Sequence, residues 1–334
     1  MAVSTARKLP HVTDYVLALL RHGQKQEASN WLEPLLQRDS DSLQTIDLHV
    51  RVWMLQGRTR EAAAFVKKYE QKPGHDPRAL AALYEEVGQA ALAEALYQRL
   101  VKEQPAARTY LALAEFLGRQ GRSDDALAWC ERAAKAGALP PAASLAIAVL
   151  QAASQRTPEQ LQRADKLLNE ALLKYPEAPA LLTPLASLRN LQGNYRETEA
   201  AYRKILEHQG RDITVLNNLA FLLAFRTEKA SEALGLINRA LDLAGPLPDL
   251  LDTRALIYVR LGTSHQAQSD LDMAIEDAPS ASLYFHRALA QRLNDRTGAG
   301  ESLDKAQALK LTRESLHPLE QPAYDELAAA LSRK

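Results

Sequence analysis

The sequence predicts an all-α fold, a solenoid of stacked helix pairs, on three observations. The first is a column of small residues, Ala28, Ala62, Ala93, Ala126, Ala164, Thr198, Ala233, Ala267 and Ala299, separated by steps of 34, 31, 33, 38, 34, 35, 34 and 32 residues. The second is a pair of apolar columns that travel with it. Four residues on stand Leu32, Val66, Tyr97, Cys130, Leu168, Tyr202, Ile237, Leu271 and Leu303; three further on stand Leu35, Tyr69, Leu100, Ala133, Ala171, Ile205, Ala240, Ala274 and Ala306. A composition that is 46% hydrophobic does not fill two columns nine times in nine by chance. The third is recurrent Gly and Pro between the columns. A period near 34 marks an array in which each unit buries its apolar face on the next.

Each unit reads as helix, tight turn, helix. In the third, Leu80, Ala81 and Tyr84 mark one helix face, Gly88 interrupts, and Leu92, Leu96, Tyr97 and Leu100 mark a second face that Pro105 ends. Gly is favoured just past a helix end because it reaches positive φ without a Cβ clash, and Pro cannot extend a helix it follows. Gly23, Gly57, Gly88, Gly121, Gly193 and Gly262 fall at the turn within a unit; Pro105, Pro176 and Pro279, with Gly74, Gly210 and Gly245, fall between units. Ala81, Ala114, Ala186, Ala220, Ala255 and Ala288 are small enough to let the two helices of a pair approach closely. Val16 and Val50 are the bulkier equivalents.

Several places depart from the pattern. The fifth unit carries about four extra residues near Ser154–Pro158, and Thr157-Pro158-Glu159-Gln160 reads as a capping box with Pro at the first helical position. Pro184 should kink or delay its helix. Arg226–Lys229 stand where the seventh unit would have its Gly. Beyond the array, Tyr324, Leu327, Ala328 and Leu331 share one face of a final helix that reads as the polar-backed cap a terminal repeat needs. His317-Pro318 before it sets a turn.

These residues carry a resemblance to the tetratricopeptide-repeat family, of a bacterial multi-repeat type. The fourth unit reads Tyr110, Leu113, Ala114, Leu117, Ala126, Cys130, Ala133 and the eighth Leu251, Ala255, Tyr258, Ala267, Leu271, Ala274, Pro279. The resemblance implies a right-handed superhelix of about nine repeats over 9–313, in units of approximately 9–42, 43–73, 74–106, 107–140, 141–178, 179–212, 213–247, 248–280 and 281–313, then a turn and capping helix over 314–334. A solenoid of this kind is expected to have one continuous core with no internal boundary.

Composition narrows the function. Lys+Arg and Asp+Glu are both 41, so the net charge is zero. Neither a nucleic-acid reader nor a polybasic membrane anchor is expected. Cys130 is the single cysteine and sits in an apolar column as a small hydrophobe. Tyr15–Leu20 is too brief for a signal-sequence core, and no apolar run approaches the length that spans a bilayer. The expected setting is cytoplasmic, and a monomer is expected ahead of a homo-oligomer.

No catalytic or cofactor motif is present: there is no P-loop, GxGxxG, HExxH, CxxC or GxSxG. Thr297-Gly298-Ala299-Gly300 lacks the Lys-Ser/Thr of a phosphate loop and reads as an inter-helix turn. None of the eight histidines pairs with another at helical spacing, so no metal face is expected, and His49 reads as a hydrogen-bonded interior residue. Glu85-Glu86 and Asp124-Asp125 read as solvated faces, since adjacent helical residues diverge.

The resemblance implies that first-helix positions line a groove. In the C-terminal half these are Asn190, Asn217, Asn218, Phe221, Asp252, Leu256, Phe285, His286 and Leu289; in the N-terminal half, Arg51, Arg78, Glu85, Arg108, Glu115 and Arg119. Apolar anchors beside amides able both to donate and to accept suit an extended peptide. The competing expectation is that these side chains pack within the superhelix or against the cap. Placed in one column, Asp14, Leu48, Ala79, Ala112, Pro184, Asn218, Thr253 and His286 hold one Asn, which is no asparagine ladder. The expected function is a non-enzymatic scaffold or adaptor that holds a protein or peptide. The alternative is a substrate-recruiting or regulatory arm of a larger enzyme. An RNA-binding array is opposed by the balanced charge.

Overall fold

A computed structural model describes residues 15–16, 18–20, 23–38, 42–72, 74–176, 178–294 and 296–331. Among them every regular element is helical. Asp14, His11 and His22 lie outside the described residues.

By their contacts the residues fall into two compact units, Met1–Arg156 and Thr157–Lys334. The division falls in the lengthened turn of the fifth repeat.

Unit 1 holds helical residues at 15–16 and 18–20, then α1 (Lys25–Arg38), α2 (Leu43–Leu55), α3 (Thr59–Glu70), α4 (Pro77–Glu86), α5 (Ala90–Glu103), α6 (Ala107–Arg119), α7 (Ser123–Lys135) and α8 (Leu139–Ala152). Unit 2 holds α9 (Pro158–Lys174), α10 (Leu182–Leu191), α11 (Tyr195–His208), α12 (Ile213–Ala224), α13 (Ala230–Ala244), α14 (Pro248–Arg260), α15 (Ser264–Asp277), α16 (Ala281–Arg292), α17 (Arg296–Ala308) and α18 (Gln321–Leu331).

The sequence columns become the cores. All nine residues of the Ala28 column are fully buried, as are Ala81, Ala114, Ala186, Ala220, Ala255 and Ala288. Small side chains at these crossings let the two helices of a repeat close on each other. Val16 and Val50 are equally buried, and so is Cys130. Within each unit, first helices also pack on the first helices of neighbouring repeats: α2 on α4 and α6 on α8 in unit 1, α12 on α14 and α14 on α16 in unit 2. Gly118 of α6 marks a close approach: an added Cβ there would lie 2.5 Å from Val149 Cγ2 of α8.

The turns follow their chemistry. Gly23, Gly57, Gly88, Gly121, Gly193 and Gly262 all adopt φ between 72° and 78°, the left-handed region that only Gly enters freely. Gly210, expected between repeats, has no positive φ. Thr157 accepts from the Gln160 backbone and Gln160 closes the capping box over Pro158. Pro184 delays its helix as expected: a 3-10 turn, Pro179–Leu181, precedes α10, leaving Pro184 in the first turn, where its missing N–H costs no bond. A 3-10 turn, Thr227–Lys229, takes the place of the missing Gly in the seventh repeat.

Two local readings are corrected. Thr297–Gly300 lies in the first turn of α17 rather than in the turn before it. His49 is interior, 6% exposed, yet its Nδ1 has no partner. Its ring packs instead on Trp53 at 5.0 Å and Phe65 at 5.8 Å. With no bond to reward a charge, burial pulls its pKa down to about 4.

Candidate functional site

The first helices of unit 2 set side chains in register every 34 residues. Asp252 of α14 and His286 of α16 are one repeat apart, and Glu320, just ahead of α18, is one repeat further. His286 is 4% exposed; its Nδ1 meets Asp252 Oδ1 and its Nε2 meets Glu320 Oε1, both at 2.6 Å. Burial opposes the charge, but two carboxylates override it and raise the imidazole pKa to about 10. Both ring N–H groups therefore donate, and no nitrogen lone pair is left for a metal. Among the described residues no group of three His, Cys, Asp or Glu side chains is placed to hold one.

Glu320 is also the N-cap of α18: its carbonyl accepts from Tyr324 N–H, and its Oε2 accepts from His317 N–H at 3.0 Å. The loop from Leu316 to Glu320 crosses the first-helix face. His317 Nε2 lies 3.3 Å from Asn190 Oδ1 of α10, while its Nδ1 accepts from Leu319 N–H at 3.2 Å. One neutral tautomer, protonated at Nε2, satisfies both contacts, in keeping with a pKa that burial lowers. The ring stands edge-on to Phe221 at 5.2 Å and 5.9 Å from Tyr195.

Beside this loop lies a cavity of about 340 Å³. Phe225 bounds it at the end of α12, Leu256, Val259 and Arg260 come from α14, Leu289, Arg292 and Leu293 from α16, and Glu320, Ala323 and Glu326 from the C-terminal segment. The Arg260 guanidinium lies 4.8 Å over the Phe225 ring. Among the described residues neither Arg260 nor Arg292 has a carboxylate partner.

The expected groove residues of this half thus divide. Leu256 and Leu289 line the cavity. Asn190, Phe221 and His286 meet the C-terminal loop directly, and Asp252 supports His286 from behind. Phe285 is wholly buried, 5.8 Å from the Tyr324 ring of the cap. Asn218 is turned to the Tyr202 hydroxyl, and Asn217 keeps a buried Oδ1 without a partner.

In the N-terminal half the charged positions are mostly spent on one another. Arg119 of α6 grips Glu85 of α4 with both arms, at 2.7 and 2.8 Å, and also holds Glu115 at 2.9 Å. Glu85 is therefore a paired group, not part of a solvated face. Asp125 likewise pairs with Arg122. Arg51 pairs with Asp47 and Arg108 donates to Gln104. Arg78 and Arg108 line a second cavity of about 330 Å³ with Asp76.

Sequence reasoning missed Glu320, His317, Arg260 and Arg292. The 34-residue step from Asp252 through His286 to Glu320 was available, but the sequence column set Thr253 in Asp252's place. That one-residue offset is corrected here, since it is Asp252 that meets His286. His317 carried no signal beyond its turn before Pro318.

Among the described residues no helix is long and apolar enough to cross a membrane. No protein-family model matches the chain. It is 27% identical over 172 residues to "TPR repeat-containing protein PA4667" of Pseudomonas aeruginosa; the match covers 52% of this chain and 29% of that relative, less than a third of its length. Among solved structures it is similar to the human IFIT1 dimer with m7Gppp-AAAA, at 15% identity and a TM-score of 0.55, covering 99% of this chain and 84% of that one. It is also similar to the APC/C hetero-tetramer Cut9–Hcn1, at 15% identity and a TM-score of 0.50, covering 84% of this chain and 52% of that one. These structural likenesses carry the fold. With its paired helices and buried small-residue column, the chain has the tetratricopeptide-repeat fold.

Proposed function

We propose that the chain is a non-enzymatic protein-interaction module and that the first-helix face of unit 2 takes up a segment of a protein partner. The carrying observation is the cavity between α14, α16 and α18, where Leu256, Val259 and Leu289 offer an apolar seat beside Arg260 and Arg292. An apolar recess with a few polar groups at its edge is the usual form of a binding pocket. The relative is a repeat-containing protein by its name, and the Cut9–Hcn1 structure is a hetero-tetramer by its description. A nucleic acid fits less well. The two arginines share the cavity with Glu320 and Glu326, whereas phosphate contacts call for clustered positive charge.

The test is site-specific photo-crosslinking in the native host. A benzoyl-phenylalanine at Leu293, on the cavity rim, is expected to trap a defined protein adduct. The same group at Leu173, exposed on α9, is expected not to. Arg260→Glu with Arg292→Glu should abolish the adduct while leaving the helical circular-dichroism signal unchanged. No adduct at Leu293, or one unaffected by the charge reversals, removes the proposal.

A further inference from the structure

The residues that the repeat pattern sets out for a peptide are already touched by a peptide segment, the chain's own. His317 and Glu320 reach three first-helix side chains from separate repeats: Asn190 and Phe221 through the imidazole, His286 through the carboxylate. The segment is short, and a Pro at 318 holds the residue before it extended. It folds around two reciprocal bonds, Glu320 N–H to His317 O at 2.8 Å and His317 N–H to Glu320 Oε2 at 3.0 Å. These fix the ring and the carboxylate three residues apart on the same side.

Its apolar hold is small, and its main tie is the buried Glu320–His286 ion pair, which an incoming carboxylate would have to replace. Leu316 is the one side chain of the loop that joins the buried core of the last repeat; Pro318 is exposed. The other contacts are polar bonds and ring edges. The capping helix keeps its own anchorage through Leu327, which is fully buried, and Tyr324 against Phe285. Displacing His317 and Glu320 therefore leaves the capping helix seated on the last repeat. It would also free Asn190 Oδ1 and one N–H of His286, and the buried Asn217 Oδ1 on the same helix as Phe221 is already without a partner. Unmet buried polar groups of this kind favour rebinding of a matching segment.

We propose that the loop Leu316–Glu320 is a resident mimic of the partner segment. Resting on the interaction-module reading above, the Asn190–Phe221–His286 line is then a docking surface for a peptide turn, closed like His317–Glu320, that carries a planar ring and, three residues on, a carboxylate. The partner's ring replaces His317 on Phe221 and its carboxylate replaces Glu320 on His286. The tether makes the loop a strong competitor, since a short connection supplies an effective concentration in the millimolar range. A partner must match the loop's contacts and add others, for which the adjoining cavity provides the seat.

The test uses the loop itself as probe, a fluorescent peptide of residues 316–324, Leu-His-Pro-Leu-Glu-Gln-Pro-Ala-Tyr, added to the full chain. In a His317→Ala, Glu320→Gln variant the resident loop is weakened. That variant is expected to bind the peptide, by anisotropy, about tenfold or more tighter than the unaltered chain. A peptide with Gln in place of its Glu should lose that gain. Should the double variant lose its helical signal, His317→Ala alone, which keeps the Glu320–His286 bond, makes the same comparison. Equal binding by both proteins, including none by either, overturns the proposal, as does indifference to the peptide's Glu. The Leu293 crosslink reads the cavity independently. If it persists while the peptide fails, only the docking line falls; if it vanishes while the peptide binds, the cavity reading falls instead.

Discussion

Asp252 and His286 are 34 residues apart in sequence and 2.6 Å apart in space. The sequence period is thus also a spatial period: one repeat of chain returns a side chain to the same place on the next first helix. Where that side chain is polar and buried, it needs a partner from the neighbouring repeat. His286 finds one on each side, and a repeat boundary becomes an ion triad.

The triad predicts a two-sided pH response in unit 2. The folded pKa of His286, about 10, lies above its ordinary 6.5, so its stabilisation is complete below pH 6.5 and is lost as pH rises toward 10. Glu320 is held below its ordinary 4.5, so its share is present above that value and lost as pH falls below it. Removing one member leaves buried charge uncompensated, and His286→Ala should cost about 3–5 kcal/mol. Urea unfolding at pH 6.5, 8 and 9.5 checks the alkaline limb and the cost of the variant, and a further point at pH 3.5 checks the acid limb. From pH 6.5 to 9.5 the midpoint should fall in the unaltered chain and stay flatter in the variant; at pH 3.5 it should again lie below its value at 6.5.

His49 predicts the opposite sense in unit 1. Its folded pKa of about 4 lies below 6.5, so the folded state resists its protonation and stability falls as pH drops from 6.5 toward 4. His49→Leu removes both the unpartnered Nδ1 and the titration. Replacing a buried, unbonded polar group by an apolar one is close to neutral or favourable. The variant should match the unaltered chain within about 1 kcal/mol at pH 7 and exceed it at pH 5. Urea melts followed by tryptophan emission, with Trp53 in contact with the site, report the difference.

Gly118→Ala should destabilise unit 1. The new Cβ would fall 2.5 Å from Val149 Cγ2, closer than carbon atoms approach without displacement. Overpacking of a tight contact costs about 1–3 kcal/mol. Adding Val149→Ala makes room, so the double variant should recover part of the loss. A thermodynamic cycle measures that coupling, and a coupling of zero would show that the contact is not the cause.

Arg119→Ala should change stability little despite its two-armed grip on Glu85. The Arg119 side chain is 45% exposed and Glu85 17%, and ion pairs in such settings contribute at most about 1 kcal/mol. The loss should shrink further in 0.5 M salt, which screens exposed charges. A large, salt-independent loss in denaturant titration would contradict this.

The sequence by itself determined the repeats, the helix pairs, the turn glycines and the buried column from Ala28 to Ala299. It could do so because each of these depends on neighbours within a repeat or on the same position one repeat away, and such contacts leave a period in the residue types. Even the Asp252–His286–Glu320 line was present as a spacing, hidden by one residue of misalignment. The tertiary structure alone decided that the chain divides within the fifth repeat. It alone set the charged positions of unit 1 in pairs and brought His317 to Asn190, 127 residues away. That last contact joins a non-repeating loop to a repeat four units earlier. It recurs nowhere, so no periodicity could announce it; only the packing of the first helices brings the two residues together.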